Sequence, residues 1–163
     1  MWILDEETRS GTDITRGHDN YFQDPAADII CLVYGDQQDT NPRSWWPGCG
    51  WEPTDLFEYV LSGGLMGASN AAFDRSGWEY LLVERYGFPE MRLEQWYCTQ
   101  AQSRVAGLPS KLDDAARALQ LNVRKDRRGA ELIKLMSIPP FEHTPKLLRE
   151  MVKYCRKDWF VMQ

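Results

Sequence analysis

Hydrophobic and polar positions change rhythm along this chain. Trp2-Ile3-Leu4 is a short apolar run that ends in the carboxylates Asp5-Glu6-Glu7, and Asp28 to Gly35 is a β-branched, aromatic run bounded by Pro25 and Gly35. Both patterns predict strands. A shorter extended piece near Asp13 to Phe22 would complete a three-strand meander. Residues 36–53 mix Pro, Gly, Asn and Asp with Trp45, Trp46 and Trp51 and read as a long loop. Its tryptophans are expected to pack on their own domain, with stacking on the bases of a single strand as the less favoured alternative. Thr54 is placed to cap a helix over Asp55 to Leu61, whose early acidic residues suit the helix dipole, and Gly63-Gly64 ends it.

Leu65 to Ala68 reads as a short buried strand, followed by Ser69-Asn70 and a helix from Ala72 to Tyr86 that Gly87 and Pro89 close. Helices are then predicted over Thr99 to Ala106, Lys111 to Leu121, Arg128 to Met136, and from Pro145 to the end. Strands first, one later strand between helices, and a helical second half predict an α/β fold, a mixed sheet flanked by helices. The 163 residues are expected to form a single domain, 1–163.

Composition narrows the classes. With 43% hydrophobic and 12% aromatic residues the chain is not of a disordered type. Its longest clean apolar stretch, Ile29 to Tyr34, falls far short of the ~20 residues that span a bilayer. No basic region precedes an apolar one at the N-terminus, so neither membrane insertion nor export is expected. Cys31, Cys49, Cys98 and Cys155 form no Cys-x-x-Cys pair, and His18 and His143 are the only histidines. A zinc module, a disulfide framework and nucleophile schemes that need a histidine base are all disfavoured. The net charge of −5 excludes a uniformly basic surface. The charge is uneven, however: residues 1–100 hold 6 Lys and Arg against 17 Asp and Glu, and residues 101–163 hold 13 against 7. On charge alone a chance run of solvated helix faces is the favoured reading, and the alternative is an acidic site beside a basic surface, as metal-dependent enzymes acting on phosphates require.

Three acidic sites stand out. Alternate side chains share one face of a strand, so Asp5 and Glu7 point together and Glu6 points away. Two such carboxylates repel unless a cation or a proton lies between them. Asp74 lies near a helix start, four residues after Asn70, and Asp158 follows Tyr154 by four on the last helix, where i and i+4 share a face. Carboxylates gathered from separate segments suit hard divalent cations. Two such ions about 3.5–4 Å apart activate a water and stabilise the leaving oxygen of a phosphodiester. Arg124-Lys125-Asp126-Arg127-Arg128 reads equally as a solvated helix start and as a candidate phosphate contact, the second favoured by the fact that basic residues at a helix start oppose its dipole. Lys153, Arg156 and Lys157 flank the last acidic site as candidate guides for a strand, and Cys155 reads as inert packing.

These segments fall into a recognisable order. Asp5, Glu7 and Thr8 match Asp-x-Glu-Thr, Asn70 and Asp74 match Asn-x-x-x-Asp, and Tyr154 and Asp158 match Tyr-x-x-x-Asp. Gly107 to Asp113, and Lys125-Asp126 with Gly129 and Leu132-Ile133, extend the match over nearly the whole chain. The sequence resembles the DEDD superfamily of 3′–5′ exonucleases, in the branch with tyrosine in its last motif. It is especially similar to the proofreading domain of family A DNA polymerases and to related short bacteriophage proteins. The resemblance implies a ribonuclease H-like mixed sheet and two bound magnesium or manganese ions. Asp5, Glu7 and Asp158 would hold the ion beside the attacking water, and Asp5 would bridge to a second ion completed by Asp74. Tyr154 would orient the water, because a phenol with an ordinary pKa near ~10 positions rather than abstracts a proton. Thr8 and Asn70 would lie beside the terminal nucleotide, and Lys125 would contact substrate.

The implied activity is removal of nucleoside 5′-monophosphates from single-stranded DNA or frayed 3′ ends, with a polymerase domain or replication partner and a place in the cytoplasm of a bacterial or phage-infected cell. Trimming of RNA is the alternative within the same chemistry. A non-catalytic nucleic-acid-binding or scaffold domain is the alternative outside it, and the complete set of carboxylates argues against that one. Ser69 stands where histidine often precedes the motif asparagine, a change that removes no metal ligand. Both a stand-alone enzyme and the front part of a longer chain fit the pattern.

Overall fold

The run Ile29 to Gly35 is buried without interruption, which requires a strand covered on both faces rather than one open to water on one side. In the computed structural model, which describes residues 1–121 and 128–163, this strand is β2 (Asp28–Asp36). It pairs antiparallel with β1 (Trp2–Arg9), with Leu4 opposite Tyr34, Asp5 opposite Val33 and Glu7 opposite Cys31. The register shifts between Glu7 and Thr8, directly beside the acidic run. β3 (Arg43–Trp45) adds antiparallel to the outer side of β2. β4 (Met66–Ala68) pairs parallel with β1, and β5 (Trp96–Cys98) parallel with β4. The result is a mixed five-stranded sheet in the order β3-β2-β1-β4-β5.

Strand alternation divides the core in two. Leu4, Leu32, Tyr34 and Met66 face one layer with Trp78, Leu81 and Leu82, beside α2 (Thr54–Leu61) and α3 (Ala71–Gly77). Ile3, Cys31 and Val33 face the other, formed by α7 (Gly129–Met136) and α8 (Pro145–Val161) through Met136, Met151, Cys155 and Trp159. The Trp159 indole donates to the Ile3 carbonyl at 2.9 Å and so fixes α8 against β1. The remaining helices are α1 (His18–Phe22), α4 (Glu84–Tyr86), α5 (Thr99–Val105) and α6 (Leu112–Ala118). Among the described residues no helix is long and apolar enough to cross a membrane.

Five points of the sequence reading need correction. The piece from Asp13 to Phe22 is not a strand: the Asp13 carboxylate accepts from the Thr15 amide at 2.8 Å and starts a tight turn over Ile14–Arg16. Gly17, at φ 97°, then redirects the chain into α1. The third antiparallel strand is β3 instead, drawn from the stretch expected to be a loop because Trp45 is buried edge-on against Tyr86 and Phe88. Thr54 is the first residue of α2 and not its cap; that position is Pro53, which offers no side-chain bond. β5 was not expected at all. The helix anticipated from Ala72 to Tyr86 runs as α3, a wider π turn over Trp78–Val83, and α4, ending at Gly87 with φ 69°.

Candidate active site

β1 and α8 create the centre of the site. Asp5 and Glu7 lie on the α8 side of β1, and one ligand atom each from Asp5, Glu7 and Cys155 fall within 4.8 Å of one another. The Cys155 thiol donates to the Asp5 carbonyl at 3.3 Å. Burial pushes that thiol's pKa well up, so it is a hydrogen-bond donor between strand and helix and not a thiolate. Tyr154 and Asp158 sit one turn apart on α8, at 3% and 8% exposure. The Tyr154 hydroxyl hydrogen-bonds to Asp158, and burial together with the charges of Glu7 and Asp158 raises its pKa, so it stays protonated. Its ring lies against α7 at Gly129, where a Cβ would approach Cε2 to 2.3 Å. The sequence match at Gly129 therefore has a local reason: only glycine leaves room for Tyr154.

Asp74 reaches the same centre from the first turn of α3 and is buried. Burial pushes its carboxyl up to about 7. Asp5 is raised well above the ordinary carboxylate range, first by burial, then by the charges of Glu7, Asp158 and Asp74. Glu7, Asp158 and Asp74, drawn from three segments, thus all act on Asp5. Asp5 Oδ2 is buried with no hydrogen-bond partner. An orphaned carboxylate oxygen among mutually repelling acids, with oxygen donors throughout, fits a hard divalent cation such as magnesium or manganese.

The flanking residues divide. Thr8 is buried beside the site with its hydroxyl 3.0 Å from the Tyr21 hydroxyl, and it lines a cavity of about 380 Å³ with Glu6, Glu7 and Phe73. Ile14 and Ile138 border that cavity and are half exposed. Asn70 occupies the position before α3, exposed, and its carbonyl accepts from the Phe73 amide at 2.8 Å. Lys125, with Arg124, Asp126 and Arg127, lies outside the described residues. Arg128 pairs with Glu150 at 2.9 Å. Arg156 donates to the Pro42 carbonyl and to Asn41 Oδ1, both at 2.6 Å, and so ties α8 to the loop before β3 instead of facing a strand. Lys153 and Lys157 are exposed.

One residue of the site escaped the sequence reading. Alternation turned Glu6 away from Asp5 and Glu7, and the structure agrees, but the face it turns to is closed by α3 and not by water. Glu6 is 7% exposed. The one available signal was the apolar run of alternate neighbours, Trp2 and Leu4, which marked that face as covered.

No protein-family model matches the chain. The chain is 26% identical over 160 residues to a DNA polymerase of Bacillus phage SP02, a match that covers 96% of this chain and 24% of the polymerase. It therefore spans about a quarter of the length of that curated relative.

Proposed function

We propose that this chain is a divalent-metal-dependent 3′–5′ exonuclease that hydrolyses phosphodiester bonds at DNA 3′ ends and releases nucleoside 5′-monophosphates. The observation that carries the reading is the meeting of Asp5, Glu7, Tyr154 and Asp158 in one partly buried cluster that also feels Asp74. Resemblance to the tyrosine-type DEDD exonucleases supplies the reaction, and similarity to a phage DNA polymerase favours DNA as the substrate and a polymerase as partner. The three antiparallel strands followed by two parallel ones support a ribonuclease H-like fold.

Asp5, Glu7 and Asp158 would hold one magnesium or manganese ion, and Asp5 with Asp74 the other. Such ions, when bound, polarise the phosphoryl group and make water a nucleophile at neutral pH. The chain's own part is to position. Tyr154 keeps its proton, so its hydroxyl orients a water by hydrogen bonding rather than by abstracting a proton. The Cys155 and Trp159 bonds to β1 hold Tyr154 and Asp158 in register with Asp5. The cavity beside Glu7 and Thr8 is of a size to receive one nucleotide, with Phe73, Ile133 and Ile138 as apolar wall for its base.

A 5′-labelled single-stranded oligonucleotide incubated with manganese tests this directly. A descending ladder of labelled products is expected. Immediate release of the label as a mononucleotide would contradict the polarity, and an intact substrate would contradict the activity.

A further inference from the structure

Glu6 has no part in the reaction described above, yet it is buried without a partner. Among the described residues it is the one carboxylate with both oxygens buried and without a hydrogen-bond partner. Burying a carboxylate unpaired is among the costliest arrangements a fold can carry. A proton would remove the charge but turn one oxygen into a donor that itself needs an acceptor. A cation, or the water a cation holds, would satisfy both oxygens at once.

The surroundings say where such a cation would sit. The Glu6 carboxylate lies against α3 at Gly77, where a Cβ would come to 1.8 Å from Oε1 and 2.7 Å from Cδ. Gly77 follows Asp74 by three residues, so the two share a helix face and the glycine clears the space that Glu6 occupies beside that face. Of the neighbouring charges, Asp74 weighs most on Glu6, followed by Asp5 and Glu7. Glu6 also lines the cavity that reaches Glu7 and Thr8.

We propose that Glu6 is a fifth carboxylate of the metal centre, joining Asp74 to hold the second divalent cation, directly or through a bound water, from the α3 side of β1. The inference rests on the metal-dependent reading of the site and adds a ligand that the motif does not contain. Magnesium and manganese keep several waters, so a ligand acting through water is in character.

Manganese binding, counted by the paramagnetic resonance of the free ion and followed by the gain in melting temperature, tests it without reference to activity. The unaltered protein is expected to bind two ions. Glu6→Gln should keep the first and bind the second at least tenfold more weakly, with a smaller gain in melting temperature. Gly77→Ala, which leaves every carboxylate in place but presses on Glu6, should weaken the same ion. Without metal, Glu6→Gln should melt no lower than the unaltered protein, since it replaces an unpartnered buried carboxyl with a neutral group of the same size. Two ions bound by Glu6→Gln with unaltered affinity would overturn the proposal and leave the proposed function standing. A Glu6→Gln protein that is unfolded or melts lower without metal would overturn it too, by showing a purely structural role. If the unaltered protein binds one ion, the proposal fails for want of a second site; if it binds none, the metal-dependent reading fails with it.

Discussion

Gly129→Ala offers a way to disturb the proposed nucleophile's setting without touching any acid. A Cβ at position 129 would lie 2.3 Å from Tyr154 Cε2 and 2.7 Å from Cζ, where ordinary contact begins at 3.4 Å. The ring must therefore retreat by about 1 Å, and its hydroxyl with it. A displacement of that size in a positioned group costs roughly a hundredfold in rate. The fold should survive. Overpacking costs about 1–3 kcal/mol, and at the first position of α7 alanine returns only part of the ~1 kcal/mol it gains over glycine in a helix interior. A net loss of up to about 3 kcal/mol is small beside the roughly 5–15 kcal/mol of a typical domain. Single-turnover cleavage of 5′-labelled single-stranded DNA at saturating manganese, with a thermal melt on the same samples, measures both quantities. Because Gly129 is held to act only through Tyr154, Gly129→Ala added to Tyr154→Phe should slow the reaction little further. Cleavage by Gly129→Ala at the unaltered rate, or a further hundredfold loss in the double variant, would refute the reasoning.

Other outcomes follow from the same geometry. Asp158→Ala should abolish cleavage whereas Tyr154→Phe retains measurable activity, because the first removes a proposed metal ligand and the second only a positioning hydroxyl; equal rates in gel assays would contradict the assigned roles. In chelator, the melting temperature should fall as pH rises from about 4 to about 7. The folded protein keeps protons on Asp74, raised from 3.8 to about 7, and on Asp5, which the unfolded chain gives up near pH 4. A melting temperature that rises with pH over that window would show the acids to be stabilised as anions without metal. Manganese should raise the melting temperature at pH 7 by mass action, and Asp5→Ala should abolish most of that gain.

What the sequence revealed and what it withheld divide along physical lines. Asp5, Glu7, Tyr154 and Asp158 were legible because strand and helix periods are local, and the i, i+2 and i, i+4 spacings fix which side chains share a face. β2 was legible because its buried run is continuous. The error at Asp13 to Phe22 arose where a local side-chain bond, Asp13 to the Thr15 amide, competes with extended structure, a choice that composition does not reveal. β3 and β5 are three residues each and exist through their neighbours: Trp45 is drawn in by Tyr86 and Phe88, and Trp96-Tyr97-Cys98 by the parallel edge of β4. Glu6 was hidden for a related reason. Its direction was predictable from alternation, but the α3 backbone at Gly77 that closes over it is 71 positions away.

The central claim is that this acidic cluster, loaded with divalent cations, shortens DNA from its 3′ end. The most direct test follows a 5′-labelled single strand against manganese concentration, from chelator to saturation, with Asp5→Ala alongside. Stepwise shortening that appears only with manganese and is lost in Asp5→Ala is the predicted result. Shortening that proceeds in chelator, or that Asp5→Ala leaves unchanged, would contradict it.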